Sequence, residues 1–231
     1  MRIDPGIVGR RASRSRRCRR GLAVGAATLA GTVAGLGLLP MAPAGATTCG
    51  VGSSCTFDGT VTLASGTITL TAPDSLAWSA PLTGLDQHVV DANPPDQRLE
   101  VVNALGVNAT WNITAAATQF TSGTNTLPVS GTLSMNGSLS DFTSPNAPTP
   151  TCFTGSTCSL PTNAVSYPLP IATDGTAVTV FDNTNDTVGR GHIVIGNFDG
   201  GLPIGWWVNI PGSAAAGAYT SHFTMAITTG P

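Results

Sequence analysis

The residues YTSHFTMAIT, at positions 219–228, decide the fold class of this chain. The apolar residues of this run fall on alternate positions, so they would share one face of an extended chain. Threonine and histidine side chains fill most of the opposite face. A period of two over such a length is typical of a strand with one buried face, so the sequence predicts a strand here. The apolar face would consist of Tyr219, Phe223, Met225 and Ile227.

The same pattern recurs along most of the chain. Trp111, Ile113 and Ala115 alternate with Asn112 and Thr114, and no stretch shows helical periodicity. Short apolar runs rich in threonine and valine, separated by turn residues, are typical of strands. About eight to ten strands at this spacing predict an all-β fold, a single β-sandwich or jelly-roll-like domain. Further β-prone runs lie at residues 60–63, 67–71, 99–103, 178–181 and 192–195.

The N-terminal region has the organisation of an export signal. Eight of the ten basic residues lie between Arg2 and Arg20, and a run rich in glycine, alanine, leucine and valine follows from Gly21 to Leu39. Ala44-Gly45-Ala46 then meets the size limits of a signal-peptidase site. We therefore expect residues 1–46 to be a cleaved signal peptide and residues 47–231 to be the secreted, extracellular domain. An uncleaved membrane anchor is the alternative, because the apolar run almost reaches the length that spans a bilayer.

The charge of the exported region excludes several partners. Residues 47–231 carry eleven acidic residues against Arg98 and Arg190, a formal net charge of −9. Such a surface repels nucleic acid and anionic lipid, so we expect neither nucleic acid nor, after signal cleavage, a membrane as partner. The last residues, Thr229–Pro231, contain no apolar tail or sortase-type motif. We therefore expect any retention at the cell surface to be non-covalent.

Four cysteines of the exported region form two similar units, CGVGSSC from Cys49 to Cys55 and CFTGSTC from Cys152 to Cys158. An even number of cysteines in an exported chain indicates disulfides. Of the three possible connectivities we favour the local pairs Cys49–Cys55 and Cys152–Cys158, because glycine and serine let each loop close. A metal site is the alternative, but neither unit contains a histidine or a C-x-x-C spacing.

No catalytic or cofactor site can be assembled from the sequence, and we predict a protein that is not an enzyme. The chain has no G-x-S-x-G or H-E-x-x-H motif and no lysine, and His88, His192 and His222 lie on separate segments. Residues 182–186 concentrate Asn and Asp oxygens that calcium could use. Their spacing does not match an EF-hand loop, so we favour an ordinary turn and predict no metal.

Trp206 and Trp207 are the aromatic residues with a candidate binding role. Neighbours on a strand point to opposite faces, so one indole would join the core. The other would face solvent, where it could stack on a sugar ring or a partner, unless a loop covers it. Val208 and Ile210 alternate in step with Trp206, so Trp206 is the better core candidate and Trp207 the better binding candidate. Trp111, which shares a face with Ile113, is predicted to be core.

A series of short motifs spans residues 75–227. They are Leu99–Val102, Ala109–Ala115, Phe120, Leu127–Leu133, Val208–Pro211 and Gly217–Thr220. Their order resembles that of the WxL domain, a surface module of Gram-positive bacteria. The resemblance implies a β-rich secreted module that associates non-covalently with the peptidoglycan of the cell wall. Its first motif maps onto Trp111, Asn112 and Ile113, with isoleucine in place of leucine, and Met225-Ala226-Ile227 stands where the second Trp-x-Leu would fall.

The sequence therefore predicts a cell-wall-associated binding module whose partners are cell-wall glycan or peptidoglycan and other surface proteins. Its candidate binding residues are Trp206, Trp207, Trp111, Asn112 and Ile113. A structural subunit of an extracellular assembly or biofilm matrix, pairing through exposed strand edges, is the first alternative. A secreted hydrolase is the second.

Overall fold

The computed structural model of the protein describes Val51 and residues 59–230, and residues 60–230 form one compact unit. The predicted signal peptide and the predicted Cys49–Cys55 pair lie outside the described residues. Within them, the regular structure consists of strands and one 3-10 turn at Pro94–Gln97, so the all-β prediction is confirmed. The strands are β1 (Ile68–Thr71), β2 (Gln87–Val90), β3 (Arg98–Asn103), β4 (Trp111–Ala117), β5 (Thr121–Ser122), β6 (Asn125–Thr126), β7 (Leu133–Met135), β8 (Pro150–Cys152), β9 (Leu169–Ile171), β10 (Val178–Asn183), β11 (Gly191–Gly196), β12 (Trp206–Ile210) and β13 (Phe223–Thr229).

The strands form antiparallel sheets that share one hydrophobic core, as in a β-sandwich. The larger sheets have the strand orders β1-β3-β11-β8, β10-β4-β13 and β2-β12-β7-β9, and β5 pairs with β6 in a hairpin. Each of the three larger sheets contributes alternate residues to the core. Buried core side chains include Leu99, Val101, Trp111, Ile113, Leu133, Met135, Ile171, Val180, Phe181, Ile193, Ile195, Trp206 and Val208.

The strand from which the fold class was predicted is confirmed, with one change at its start. Along β13, apolar side chains are half-buried at every second position and the intervening side chains are exposed. The strand begins at Phe223 and not at Tyr219, because Thr220 instead bridges to Thr121. The alternation predicted for Trp111, Ile113 and Ala115 is also confirmed, since all three are buried on β4.

The β-prone run at residues 60–63 is not a strand, so this prediction is wrong. The ladder between β1 and β3 ends where the Gly66 amide donates to the Ala104 carbonyl oxygen, at 2.7 Å. Beyond that point the partner chain turns through Gly106, whose φ of 70° lies in the left-handed region. Residues 60–65 therefore extend past the end of the strand that would have paired with them.

Two further features were tested by the structure. Cys152 and Cys158 are joined in a disulfide, as predicted. In the described part of the chain there is no helix long and apolar enough to span a membrane.

Candidate binding groove

Trp206 and Trp207 lie next to each other on β12 and are both buried, with exposed fractions of 1% and 5%. Trp206 packs in the main core with Val208, as predicted, and its indole N–H donates to the Asp96 carbonyl oxygen at 3.1 Å. Trp207 points to the opposite face of the sheet and lies outside that core. The prediction that the two indoles occupy opposite faces is therefore confirmed.

Of the two alternatives for the outer indole, solvent-facing or covered by a loop, the structure shows the second, because residues 136–143 cover Trp207. Its indole N–H donates to Asn136 Oδ1 at 3.1 Å and to the Ser138 carbonyl oxygen at 3.0 Å. Phe142 packs edge-on against the indole with ring centres 5.8 Å apart, and Phe142 itself stacks on His88 at 3.8 Å. Trp207 also lines a cavity of about 610 Å³ together with His88 and Phe142, so its ring is covered by this loop but borders open space.

The residues of the first WxL-like motif serve the core. Trp111 and Ile113 are buried, and the Trp111 indole N–H donates to the Gly189 carbonyl oxygen at 3.0 Å. Gly189 has a φ of 74°, and a Cβ there would lie 2.8 Å from Trp111 Nε1, so this position needs glycine. Half-buried Asn112 accepts a hydrogen bond from the Thr228 hydroxyl at 3.1 Å. Ligand binding by these three residues stays a prediction.

Trp78, whose position in the sequence carries no motif, lies between two sizeable cavities. It lies in a segment without regular structure, and its indole N–H donates to the Trp206 carbonyl oxygen at 3.1 Å. Its ring packs edge-on against Phe120 at 5.9 Å and at a tilt against Phe223 at 6.1 Å. Half-buried and exposed positions alternate over residues 76–81, so a short alternation around Trp78 was the signal that could have found it.

Three neighbouring cavities surround Trp78, Phe120 and Tyr219, and we call them together the aromatic groove. The first, of about 680 Å³, lies between residues 72–77 and β13. The second, of about 570 Å³, lies between residues 79–82 and the alanine-rich residues 214–218. The third, of about 420 Å³, continues from Tyr219 towards the β5–β6 hairpin. Tyr219 lines all three cavities and Trp78 lines the first two.

Two aspartates, one buried and one exposed, fix the segment that forms one wall of the groove. Asp91 is buried, and its two carboxylate oxygens accept the backbone N–H groups of Ala77 at 2.8 Å and Asn93 at 2.9 Å. At the other end of the segment, Asp86 accepts the backbone N–H of Gly212 at 2.8 Å. These carboxylates tie a chain without strand pairing to the sheet, so the groove has a defined shape.

The electrostatic character of the groove differs along its length. The first cavity includes Asp74 and His222 in its lining. The second and third cavities contain no charged residue, and the third adds Gln119, Asn125 and Ser213 as polar groups. The side-chain amide N–H of Gln119 donates to the Leu127 carbonyl oxygen at 2.8 Å, which leaves its own oxygen available to a ligand.

The other titratable groups do not assemble into a reactive site within the described residues. His192 contacts Glu100 at 3.3 Å, and Glu100 also pairs with Arg98 at 3.5 Å, while the other histidines lie on different segments. Across the described ranges, no three His, Cys, Asp or Glu side chains are grouped as metal ligands would be. In the loop at residues 182–186, Asp182 accepts the Ala164 N–H at 2.7 Å.

No protein-family model, no curated protein and no solved structure matches the chain. The resemblance to the WxL domain therefore stays a prediction, and function has to be argued from the groove itself.

Proposed function

We propose that this protein is an exported, non-catalytic module of the bacterial cell surface that binds uncharged stretches of cell-wall glycan. The observation that carries the proposal is the pairing of Trp78 and Tyr219 with cavities that hold no charged side chain. A sugar ring has an apolar C–H face and a rim of hydroxyl groups. Aromatic rings match the face, and neutral amide and hydroxyl groups match the rim.

The polar residues of the third cavity can form hydrogen bonds with the hydroxyl groups of a sugar. Gln119, Asn125 and Ser213 lie on the far side of Tyr219 from Trp78. A glycan that stacks on Tyr219 would present its hydroxyl groups to these side chains. Because the second and third cavities adjoin at Tyr219, they suit an extended polymer better than a single small molecule.

The charge of the exported region supports an uncharged ligand. A net charge of −9 opposes association with an anionic wall, so attraction between opposite charges cannot drive binding. Stacking and hydrogen bonding between neutral groups are only weakly screened by salt. We therefore expect wall binding that is released by soluble glycan fragments and resists both moderate salt and a chelator.

The experiment is co-sedimentation of the exported protein with purified wall sacculi. Tyr219→Ala should weaken binding about fivefold, because a stacking contact contributes on the order of 1 kcal/mol. Tyr219→Phe keeps the ring and loses only the hydroxyl bond to the Ala215 carbonyl oxygen, so it should bind nearly as wild type. Val107→Ala, at an exposed position that lines none of these cavities, is the matched control. Equal binding by all variants would refute the groove as the glycan site.

A second candidate function is a structural subunit of an extracellular assembly. It is favoured by a specific pair of features, an exposed apolar segment before β1 and an open strand edge at β13.

A further inference from the structure

Residues 60–65 form a strand-prone segment without a partner among the described residues. Val61 and Leu63 are 82% and 85% exposed, and they alternate with Thr60 and Thr62. Alternating β-branched and aliphatic residues are typical of a strand that pairs and buries one face. The whole stretch from Gly59 to Pro73 contains no charged residue. An exposed apolar segment of this kind has the character of an interaction site.

The open edge of β13 is the complementary feature. Thr118 N–H donates to the His222 carbonyl oxygen at 2.9 Å, and Gly230 N–H donates to the Thr110 carbonyl oxygen at 3.1 Å. In an antiparallel ladder, backbone groups of alternate residues point to the same side. The backbone groups of the odd-numbered residues from Phe223 to Thr229 therefore point away from β4. Among the described strands, β13 pairs with β4 alone.

Three other outer strands in the described part of the chain, β8, β9 and β10, have protected edges. β8 and β9 contain Pro150 and Pro170, which cannot donate to a further strand. The outer edge of β10 is covered, since Asp182 N–H donates to Asn163 Oδ1 and Thr184 N–H donates to a neighbouring carbonyl oxygen. β13 is longer than any of the outer strands β1, β2, β8, β9 and β10, and it contains neither proline nor a charged residue. Natural sheets rarely leave such an edge without a purpose.

The edge of β13 also borders the first cavity of the aromatic groove. Phe223 and Met225 line this cavity together with residues 72–78. A strand added to β13 would find unpaired backbone groups along one side and apolar side chains close by. This is the arrangement that strand addition to a sheet edge requires.

We propose that residues 60–65 of one copy add as a strand to the open edge of β13 in a second copy, with Val61 and Leu63 packed against the first cavity. The donor is the segment of residues 60–65 and the acceptor is the edge of β13, so each copy carries one of each. Repeating the contact from copy to copy therefore builds an open head-to-tail chain. The uncharged donor segment lets copies that each carry a charge of −9 approach at a neutral contact. If the signal is cleaved as predicted, only residues 47–59 precede the donor segment.

This inference goes beyond glycan binding, because it uses the first cavity and the β13 edge, whereas the proposed glycan site uses the second and third cavities. The two sites share Trp78, Phe120 and Tyr219, so the variants that separate the two proposals must leave these rings in place.

The test is the mass of the exported protein by sedimentation velocity across a wide range of concentration. Wild type should increase in mass with concentration. The double variant Val61→Glu, Leu63→Glu, which changes only exposed side chains, should stay monomeric. Val107→Glu places a charge at another exposed apolar residue and should assemble as wild type. Wild type that stays monomeric, or a donor variant that assembles equally, overturns the proposal.

A mixing experiment tests the head-to-tail geometry. Thr229→Pro removes an N–H from the open side of β13 and should block the acceptor while leaving the ladder to β4 intact. Neither the acceptor variant nor the donor variant should assemble alone, whereas their mixture should form a dimer and no larger species. A synthetic peptide of residues 59–66 should cap wild-type chains, which keeps the test independent of the fold of Thr229→Pro. Failure of the peptide to reduce the mass contradicts the proposal.

Sacculus binding distinguishes the two proposals. The donor variant should bind sacculi with the affinity of wild-type monomer, and Gln119→Ala, which alters the third cavity and not the first, should bind sacculi more weakly and still assemble. If assembly is lost and wall binding is retained, only the assembly proposal is refuted. If wall binding is lost and assembly is retained, only the proposed function is refuted.

Discussion

At the scale of single residues, Trp206 and Trp207 show that neighbours on one strand can be buried by different means. Trp206 is covered by the sheets that share the main core, whereas Trp207 is covered by a loop. The loop satisfies the indole N–H through Asn136 and Ser138, so the second indole is buried without an unpaired donor.

We expect both tryptophans to be important for stability. Trp207→Ala should lower the free energy of unfolding by about 3 to 5 kcal/mol, as should Trp206→Ala, because each removes a large buried side chain. Trp207→Phe should cost less, since a ring can still pack against Phe142. Urea unfolding of the three variants checks this, with Val107→Ala as an exposed control. If Trp207→Ala stays within about 1 kcal/mol of wild type, the loop does not bury the indole in solution.

The raised pKa of Tyr167 predicts how the stability of the protein changes at alkaline pH. Its hydroxyl donates to the Val180 carbonyl oxygen at 2.7 Å and accepts from the Asn163 amide at 3.1 Å. Burial raises the pKa of Tyr167 to about 12, an effect that the Asn163 bond opposes and the Asp182 charge reinforces. The unfolded chain ionises near the ordinary pKa of about 10. Between pH 10 and pH 12 the folded protein keeps the Tyr167 proton, whereas the unfolded chain loses it. The contribution of Tyr167 to the free energy of unfolding is therefore complete below pH 10 and is lost as the pH rises towards 12.

The variant Tyr167→Phe removes this titration. Its unfolding free energy, measured in urea at a series of alkaline pH values, should fall less steeply above pH 10 than that of wild type. The variant also loses the bond to Val180, so it should start from a lower stability at neutral pH. Equal slopes in the two proteins would show that Tyr167 does not titrate as its burial requires.

At the scale of elements, the Cys152–Cys158 loop holds aromatic side chains on a sheet. Phe153 lies within the loop and stacks on His192 at 4.1 Å and on Phe198 at 5.5 Å. Ser159, next to the disulfide, pairs with Arg190 just before β11. The disulfide therefore closes a short irregular segment against a strand that is already paired on both sides.

Replacing both Cys152 and Cys158 by alanine should lower the free energy of unfolding by about 2 kcal/mol, the entropy cost of opening a short loop. Far-ultraviolet circular dichroism should keep its β signal, and near-ultraviolet signals from the Phe153 stack should weaken. Substitution is preferable to a reducing agent, which would also act on Cys49 and Cys55. Loss of the far-ultraviolet signal would instead make the disulfide a determinant of the fold.

For the molecule as a whole, the predicted signal cleavage would decide which residues the exported chain keeps. We predict that the secreted protein begins at Thr47, because Ala44-Gly45-Ala46 satisfies the size limits of signal peptidase. N-terminal sequencing of protein from the envelope and culture fluid of an expressing bacterium checks this. An intact arginine-rich N-terminus would contradict it, and it would leave 59 residues, in place of 13, before the donor segment.

Local sequence pattern was enough to predict several of the strands and their apolar faces. The strands at residues 223–229 and 111–117 could be predicted because apolar residues fall on every second position there. The Cys152–Cys158 pair could also be predicted, since both partners lie within one short loop. These features are local, so backbone geometry and nearest neighbours decide them.

Only the tertiary structure decided which faces and edges are covered. The loop over Trp207 and the groove around Trp78 each join segments that are far apart in sequence. The run at residues 60–63 has a strand pattern, yet it is unpaired because β3 ends before reaching it. The energy of burying a side chain or pairing a backbone group depends on which distant segment packs against it. Local periodicity does not specify that segment.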